Sequence, residues 1–192
     1  MHRASRAALT AALGSVSLFL AGHARADVTV IGNGFAAECS DSAKAVSVNH
    51  VAHADALNEC TLAIENESLS THELAATHVN RGVLYLAIQR YEDAKRDFDS
   101  AVRIEPGLGE AYANRGAALI GEGRNADAIA EIDRGLELNA TEPEKSYYNK
   151  ALAEENLNDL KSAYSDYSKA LELKPDWEMA KLELARFHVV QQ

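Results

Sequence analysis

Apolar and small residues recur three and four positions apart along most of the chain, which is the spacing of one face of an α-helix. The clearest example is a pair of predicted helices at 72–88 and 92–104, joined by a turn at 89–91. Pro106 ends the second helix because proline has no backbone N–H to donate. The pattern therefore predicts two antiparallel helices that form a hairpin.

The same periodicity predicts helices on both sides of this hairpin. Two shorter helices at 36–48 and 55–65 precede it, and a single helix at 176–190 follows it. Ser70 and Glu73 have the spacing of a capping box, in which two side chains bind backbone N–H groups at the start of a helix. The chain is therefore predicted to be all-α.

One block of the hairpin recurs twice downstream. Asn80-Arg81-Gly82 is followed by Asn114-Arg115-Gly116 and, in modified form, by Asn149-Lys150-Ala151, at steps of 34 and 35 residues. Alanines keep the same steps at Ala94, Ala128 and Ala163. A helical pair of this length cannot bury its apolar face alone, so it gains stability by stacking on its neighbours. The sequence therefore predicts an array of repeats.

This pattern resembles the tetratricopeptide repeat over about residues 75–175. The resemblance rests on small Gly82 and Gly116 in the first helices, on the aligned alanines, and on the closing prolines Pro106 and Pro175. It implies a right-handed α-solenoid of helical hairpins, in which the first helix of each unit lines a concave groove. The sequence departs from the family pattern at Glu154, where an apolar residue is usual.

The predicted organisation comprises an export signal, a stapled hairpin, repeats and a cap. The boundaries are 1–26 for the signal peptide, 27–70 for a leader and a degenerate disulfide-stapled hairpin, 71–108, 109–142 and 143–175 for three repeats, and 176–192 for a capping helix. The last segment suits a cap because Trp177, Leu184 and Phe187 share one face of the predicted helix.

Three asparagines hold equivalent positions in the repeats, namely Asn80, Asn114 and Asn149. The resemblance implies that they contact the backbone of an extended peptide in the groove. An amide suits this task because it donates and accepts hydrogen bonds at once. The apolar neighbours predicted to contact the peptide are Val79, Val83, Tyr148 and Leu152. The alternative is that the amides cap or bridge neighbouring helices.

Charged residues on the predicted groove face bear on the kind of peptide that it binds. Lys145 is the one basic residue that we place there, beside Glu110 and Glu155. Relatives that clamp the terminal carboxylate of a ligand use several basic residues on this face, and this sequence lacks such a clamp. An internal or apolar segment, with or without a basic residue, suits the groove better.

Each repeat has a basic residue sixteen positions before an acidic one: Arg81 and Asp97, Arg115 and Glu131, and Lys150 and Asp166. Within a hairpin, this spacing predicts a salt bridge that sets the register of the two helices. Partly exposed pairs contribute up to about 1 kcal/mol each. The alternative is a solvated face on which these side chains do not meet.

The first 26 residues have the pattern of an export signal. Basic residues near the start precede a mostly apolar run at 7–21, and Ala24-Arg25-Ala26 supplies a cleavage site. We therefore expect cleavage after Ala26 and a periplasmic or secreted protein that does not insert into the membrane afterwards. An uncleaved anchor helix is the alternative, although the apolar run is short for a membrane span.

Cys39 and Cys60 are the two cysteines of the chain. In an oxidising compartment, an even count at this spacing favours a disulfide. Antiparallel packing of the helices at 36–48 and 55–65 would bring the two residues face to face. Two buried thiols or a metal pair are the alternatives.

Charge and composition argue against several function classes. The chain has 19 basic and 29 acidic residues, for a net charge of −10. Such a surface repels phosphate backbones and anionic lipid headgroups, so we predict no nucleic-acid partner. His50 and His53 are spaced for chelation but lack an evident third ligand. With no nucleophile–base pair or phosphate loop in the sequence, we predict no enzyme activity, cofactor or metal site.

The predicted function is to bind a partner protein or peptide in the concave groove, as a scaffold or assembly factor of the cell envelope. A small-molecule or lipid-fragment binding protein that uses the same apolar groove is the first alternative. Hydrolysis at a site in the N-terminal segment and self-association through the terminal helices are two further alternatives.

Overall fold

The structure is a computed structural model that describes residues 34–49 and 55–187. These two ranges contain nine α-helices and no strand. The helices are Phe35–Asn49 (α1), Ala56–Asn66 (α2), Thr71–Ala87 (α3), Tyr91–Ile104 (α4), Gly109–Gly121 (α5), Asn125–Glu137 (α6), Pro143–Asn156 (α7), Leu160–Leu173 (α8) and Glu178–Ala185 (α9).

Consecutive helices pack as hairpins that stack along the chain. The hairpins are α1 with α2, α3 with α4, α5 with α6, and α7 with α8. Each one packs on the next, through α2 with α3, α4 with α5, α6 with α7, and α8 with α9. Because each unit buries its apolar face against its neighbours, the described chain is an all-α solenoid, as the repeat pattern predicts.

The start of α3 shows how the sequence sets a helix boundary. Ser70 Oγ accepts a hydrogen bond from the N–H of Glu73 at 3.2 Å, and Glu73 Oε2 accepts one from the N–H of Ser70 at 2.9 Å. Two N–H groups that have no partner within the helix are thereby satisfied. The predicted capping box is confirmed.

Small residues in the first helices make room for large ones in the second helices. A Cβ on Gly82 would lie 2.5 Å from Cε1 of Phe98, and a Cβ on Gly116 would lie 2.5 Å from Cγ1 of Ile132. Phe98 and Ile132 are both fully buried. The repeated glycine therefore allows α3 to approach α4, and α5 to approach α6, closely enough for these side chains to fill the core.

The N-terminal hairpin is covalently closed. Cys39 of α1 and Cys60 of α2 form a disulfide with their Cα atoms 4.7 Å apart, and both residues are fully buried. At the start of α1, the carboxylate of Glu67 accepts the N–H groups of Phe35 and Ala36, at 2.6 and 3.2 Å. The disulfide and the carboxylate fix α1 at two points along its length.

The C-terminal helix is shorter than predicted within the described residues. The pattern predicts 176–190, whereas α9 spans Glu178–Ala185. Trp177 precedes α9, and its ring centroid lies 4.8 Å from that of Tyr148 on α7. Trp177 thus contacts α7 just before α9 begins, while α9 itself packs on α8.

Several predictions fall outside the described ranges. They concern the signal peptide at 1–26, the leader that follows it up to residue 33, the pair His50 and His53, and the last residues of the cap at 188–192. Within residues 34–49 and 55–187, no helix is long and apolar enough to cross a membrane.

Candidate functional site

The first helices of two neighbouring repeats enclose a small recess of about 20 Å³. Its lining comes from α5, from the linker that follows α6, and from α7. The lining residues are Glu110, Ala113, Asn114, Thr141, Glu142, Lys145, Ser146 and Asn149. The three asparagines predicted to contact a peptide are called the asparagine ladder here, and two of them, Asn114 and Asn149, line this recess.

The linker between α6 and α7 forms one wall of the recess. Thr141 donates its backbone N–H to Oε1 of Glu110 at 2.9 Å, and Nζ of Lys145 lies 2.9 Å from Oε2 of Glu142. Asn139 and Glu142 have φ angles of 58° and 56°, in the left-handed region. The linker is therefore tied to the starts of both helices that flank the recess.

The two amides of the recess are nearly buried. Asn114 is 7% exposed and Asn149 is 6% exposed. Oδ1 of Asn149 has no hydrogen-bond partner among the described residues. This oxygen is also shielded from solvent. Because a buried amide oxygen without a partner is costly, Asn149 gains a hydrogen bond if its side chain turns toward a donor that enters the recess.

Asn80, the third member of the ladder, lies inside the protein. It is 0% exposed, and neither its Oδ1 nor its Nδ2 has a hydrogen-bond partner in the described ranges. Val79 and Val83 are 0% and 2% exposed and belong to the same core as Ala43 of α1. Helix α1 packs on α3 as well as on α2. The groove side of the first repeat is therefore closed in this structure.

Tyr148 is likewise a core residue in this arrangement. It is 2% exposed, and its ring centroid lies 5.3 Å from that of Tyr167 in an edge-on contact. Leu152 is partly buried against the same cluster. The family resemblance and helical spacing placed both residues on the groove face, but they did not show that Trp177 packs against Tyr148 of α7.

The predicted salt bridges within the repeats are confirmed. Arg81 contacts Asp97 through two nitrogens, at 2.7 and 2.8 Å. Nε of Arg115 lies 3.0 Å from Oε2 of Glu131, and Nζ of Lys150 lies 3.6 Å from Oδ2 of Asp166. Each hairpin of the three repeats is thus joined by a charged pair between its two helices.

The same basic residues also reach back to the preceding hairpin, which the sequence interpretation missed. Nη1 of Arg115 lies 2.9 Å from Oδ1 of Asp99 on α4, and Nζ of Lys150 lies 2.7 Å from Oδ1 of Asp133 on α6. Arg81 donates to Oγ1 of Thr61 on α2 at 3.1 Å. The spacing contained this signal, because Asp99 and Asp133 lie 16 and 17 residues before Arg115 and Lys150, in the second helix of the preceding hairpin.

Burial and charge move two carboxyl pKa values in opposite directions. Burial raises the pKa of Asp97, but hydrogen bonds from Arg81 and His78 outweigh it and leave that pKa below its ordinary value. Burial is the largest of the effects that raise the pKa of Glu154 to about 7, and the nearby charge of Asp166 adds to it, whereas Lys150 offsets part of the rise. Glu154 is 7% exposed, at the position where the repeat usually has an apolar residue.

A second, larger recess of about 280 Å³ lies between α4 and α6. Helical geometry places its α5 residues, Arg115 and Leu119, about 100° and about 140° around α5 from Asn114, on a different face of the helix. Its charged groups are paired with one another, for example Lys95 with Asp99 at 3.0 Å and Arg124 with Asp127 at 2.6 Å. Arg115 of α5 connects the two second helices, because it reaches Asp99 of α4 at 2.9 Å and Glu131 of α6 at 3.0 Å.

Comparison of the sequence with known families finds the tetratricopeptide repeat at residues 75–107 and 144–176. The Hsp70-Hsp90 organizing protein of Triticum aestivum is 36% identical over 98 residues. That stretch is 50% of this chain and 16% of the relative, so the chain spans a small part of that protein's length.

Two solved structures share the fold. The first tetratricopeptide-repeat domain of Spaghetti (RPAP3), bound to the HSP90 peptide SRMEEVD, has a TM-score of 0.54 at 25% identity, over 58% of this chain and 88% of that chain. A MamA RS-1 ArsTM double mutant has a TM-score of 0.58 at 17% identity, over 81% of this chain and 83% of that chain. The latter likeness concerns the fold alone. The chain therefore contains tetratricopeptide repeats and folds as a solenoid built from them.

Proposed function

We propose that this protein is a non-enzymatic interaction module that holds an extended peptide segment of a partner protein between the first helices of its repeats. The observation that carries the proposal is the recess between α5 and α7, where Asn114 and Asn149 lie side by side in the lining. Amide side chains in such a position can bind the backbone of any peptide, because every residue except proline offers both an N–H and a C=O.

The peptide complexes of similar proteins support this proposal. The Spaghetti domain was solved with a peptide of HSP90, and a second domain of human RPAP3, 21% identical to this chain, was solved with the HSP70 peptide SGPTIEEVD. The wheat relative is named for organising two chaperones. These ligands belong to those proteins, and for this chain they support peptide binding as a class of function.

The size of the recess favours a peptide over a small molecule. Sites for small organic ligands usually enclose about 300–1,000 Å³, whereas the recess between α5 and α7 measures about 20 Å³. A peptide backbone needs no deep cavity, since it can lie along the surface and send single groups into it. The small-molecule alternative therefore has less support than peptide binding.

We further propose that the partner is a component of the cell envelope. The support is the signal-like pattern of residues 1–26, with cleavage expected after Ala26. Fractionation of source cells, followed by mass measurement of the mature N-terminus, tests this part. A mature chain that starts at Asp27 in the extracytoplasmic fraction is expected, and an intact N-terminus in the cytosol contradicts it.

Site-specific photocrosslinking tests the groove itself. A photoreactive amino acid replaces Ala113, which lines the recess, or Ala130, which lines the larger recess between α4 and α6. Ala113 is partly exposed and Ala130 is exposed, and both lie on helices, so thermal melting of each variant is measured to show that it remains folded. A discrete protein adduct from position 113 and none from position 130 is expected. The same adduct from both positions, or only from 130, contradicts the proposal.

A further inference from the structure

We propose that the recess between α5 and α7 selects the basic side chain of an arginine or lysine in the bound peptide. This inference rests on the proposed peptide binding and adds the chemical class of the segment that binds. Three observations carry it: the charges of the lining, the unpartnered amide oxygen of Asn149, and the small volume of the recess.

The charges of the lining are predominantly acidic. Glu110 and Glu142 contribute two carboxylates, and Lys145 is the single cation of the lining. Lys145 lies 2.9 Å from Glu142, and both side chains are largely buried, at 12% and 16% exposure. Because this pair offsets its own charge, the carboxylate of Glu110 is the net charge that an incoming group meets. The whole chain carries −10, which adds to attraction for a cation.

The polar atoms of the lining are mainly acceptors. Oδ1 of Asn149 has no partner among the described residues, and one oxygen of Glu110 already accepts the N–H of Thr141 at 2.9 Å. Arginine brings five N–H donors and no acceptor, and lysine brings three donors. A basic group in the recess therefore neutralises the carboxylate of Glu110, and it satisfies the amide oxygen once the side chain of Asn149 turns toward it. Such charge-assisted hydrogen bonds are the stronger kind. A carboxylate in the same place would face the net negative charge that Glu110 leaves in the lining.

The volume of the recess limits the size of the side chain that can enter it. A recess of about 20 Å³ is too small for an aromatic ring and suits the end of one extended side chain. The apolar stem of lysine or arginine can lie along the neighbouring surface while the charged end reaches the acceptors. The geometry thus matches a long side chain with a terminal cation.

The inferred preference for a basic peptide is opposite to the charge of a peptide that a similar protein binds. The HSP90 peptide bound by the Spaghetti domain, SRMEEVD, ends in a run that contains three acidic residues. The lining of this recess holds one cation, Lys145, which is already paired with Glu142. We therefore expect an acidic peptide of that kind to bind this chain more weakly than a basic one.

Peptide selection followed by titration tests the inference. A random peptide library displayed on phage is selected on the full chain, and a selected peptide is synthesised with a fluorescent label. Each of its basic residues is then replaced in turn by glutamine and by glutamate, and Kd is measured by anisotropy. At one position, the exchange to glutamate should weaken binding at least about tenfold, which corresponds to about 1.4 kcal/mol.

Two protein variants locate the effect. Glu110→Gln removes one of the two carboxylates of the recess, the one that Lys145 does not offset, and Glu137→Gln removes a carboxylate of α6 outside it, where the side chain is 66% exposed. Glu110→Gln should reduce the preference for the basic peptide to less than about threefold, whereas Glu137→Gln should leave it unchanged. Thermal melting of both variants confirms that they remain folded.

The possible failures are distinguishable. Selected peptides without a basic residue at any sensitive position, or a preference that survives Glu110→Gln, overturn this inference and leave peptide binding intact. If the library yields no peptide that binds the full chain, the proposed function fails and this inference fails with it.

Discussion

Arg81 and Asp97 form a bidentate ion pair between α3 and α4, with Nη2–Oδ1 and Nε–Oδ2 distances of 2.7 and 2.8 Å. Asp97 is only 4% exposed, and its Oδ1 also lies 2.9 Å from Nδ1 of His78. Two planar groups that meet along parallel hydrogen bonds fix both distance and orientation. The pair therefore holds the register of the first complete repeat, and its counterparts at Arg115 and Lys150 do the same in the next two.

Removal of Arg81 should destabilise the protein strongly. Arg81→Met keeps much of the side-chain volume but leaves the buried carboxylate of Asp97 without its main partner. A lost partner of a buried ion costs about 3–5 kcal/mol. The free energy of unfolding, measured by urea titration, should fall by an amount in that range.

Arg96→Met is the matched control for this substitution. Arg96 pairs with Asp93 on the same helix, and its side chain is 73% exposed. Exposed pairs contribute less than about 1 kcal/mol. If Arg81→Met and Arg96→Met lost similar amounts of unfolding free energy, Arg81 would contribute no more than an exposed surface residue.

Gly82→Ala should destabilise the protein although alanine favours helices. The new Cβ would lie 2.5 Å from Phe98, which is fully buried and has little room to move. Overpacking of this kind costs about 1–3 kcal/mol, against about 1 kcal/mol gained from helix propensity. Thermal melting should show a lower Tm.

Gly107→Ala controls for the change from glycine to alanine, because a Cβ added at Gly107 would meet nothing within 4 Å beyond its neighbours in the chain. Its Tm should stay close to that of the wild type. The double variant Gly82→Ala/Phe98→Leu should recover part of the loss. An unchanged Tm for Gly82→Ala alone would contradict the close approach of α3 and α4.

Glu154 should make stability depend on pH near neutrality. Its pKa is about 7 in the folded protein and near its ordinary value of 4.5 in the unfolded chain. The folded state therefore binds the proton more tightly, and its stability falls as the pH rises from about 4.5 to about 7. Glu154→Gln should flatten this fall by about 1–3 kcal/mol, as measured by urea titration at a series of pH values. If the unfolding free energies of the wild type and of Glu154→Gln changed with pH in parallel, the raised pKa of Glu154 would be contradicted.

Loss of the disulfide should weaken the N-terminal hairpin selectively. Cys39 and Cys60 are 21 positions apart, and a crosslink of that span contributes about 3 kcal/mol through the entropy of the unfolded chain. In a solenoid, each unit contacts only its neighbours. Hydrogen exchange of the Cys39→Ser/Cys60→Ser variant should therefore accelerate in α1 and α2 and stay unchanged in α7 and α8. Uniform acceleration along the chain would argue against this local role.

Much of this fold is predictable because its determinants are local. Helical periodicity predicts the hairpin around Gly82. It also predicts the pairing of Arg81 with Asp97, because residues sixteen positions apart face each other across a hairpin of this length. The disulfide follows from antiparallel packing of two helices that each contain one cysteine. Each inference needs only one repeat and the rules for helix packing.

The less predictable features depend on neighbours outside the repeat. The family resemblance and the period together place Asn80 and Tyr148 on the groove face, but their burial depends on what packs there. Helix α1 packs on the helix of Asn80, and Trp177 packs on Tyr148. These contacts come from the terminal elements. Because those elements do not follow the repeat, the period does not determine their positions. Of the predicted ladder, the recess contains Asn114 and Asn149.

The affinity of a library-selected peptide for the Asn114→Ala/Asn149→Ala variant tests the central claim most directly. Asn66→Ala/Asn125→Ala is its control, because it removes two amides that lie outside the recess. If the amides hold the peptide backbone, Kd rises at least about tenfold in the first variant and stays unchanged in the control, while all Tm values stay close to that of the wild type. Equal affinity of the wild type and the Asn114→Ala/Asn149→Ala variant would contradict the claim that this recess is the binding site.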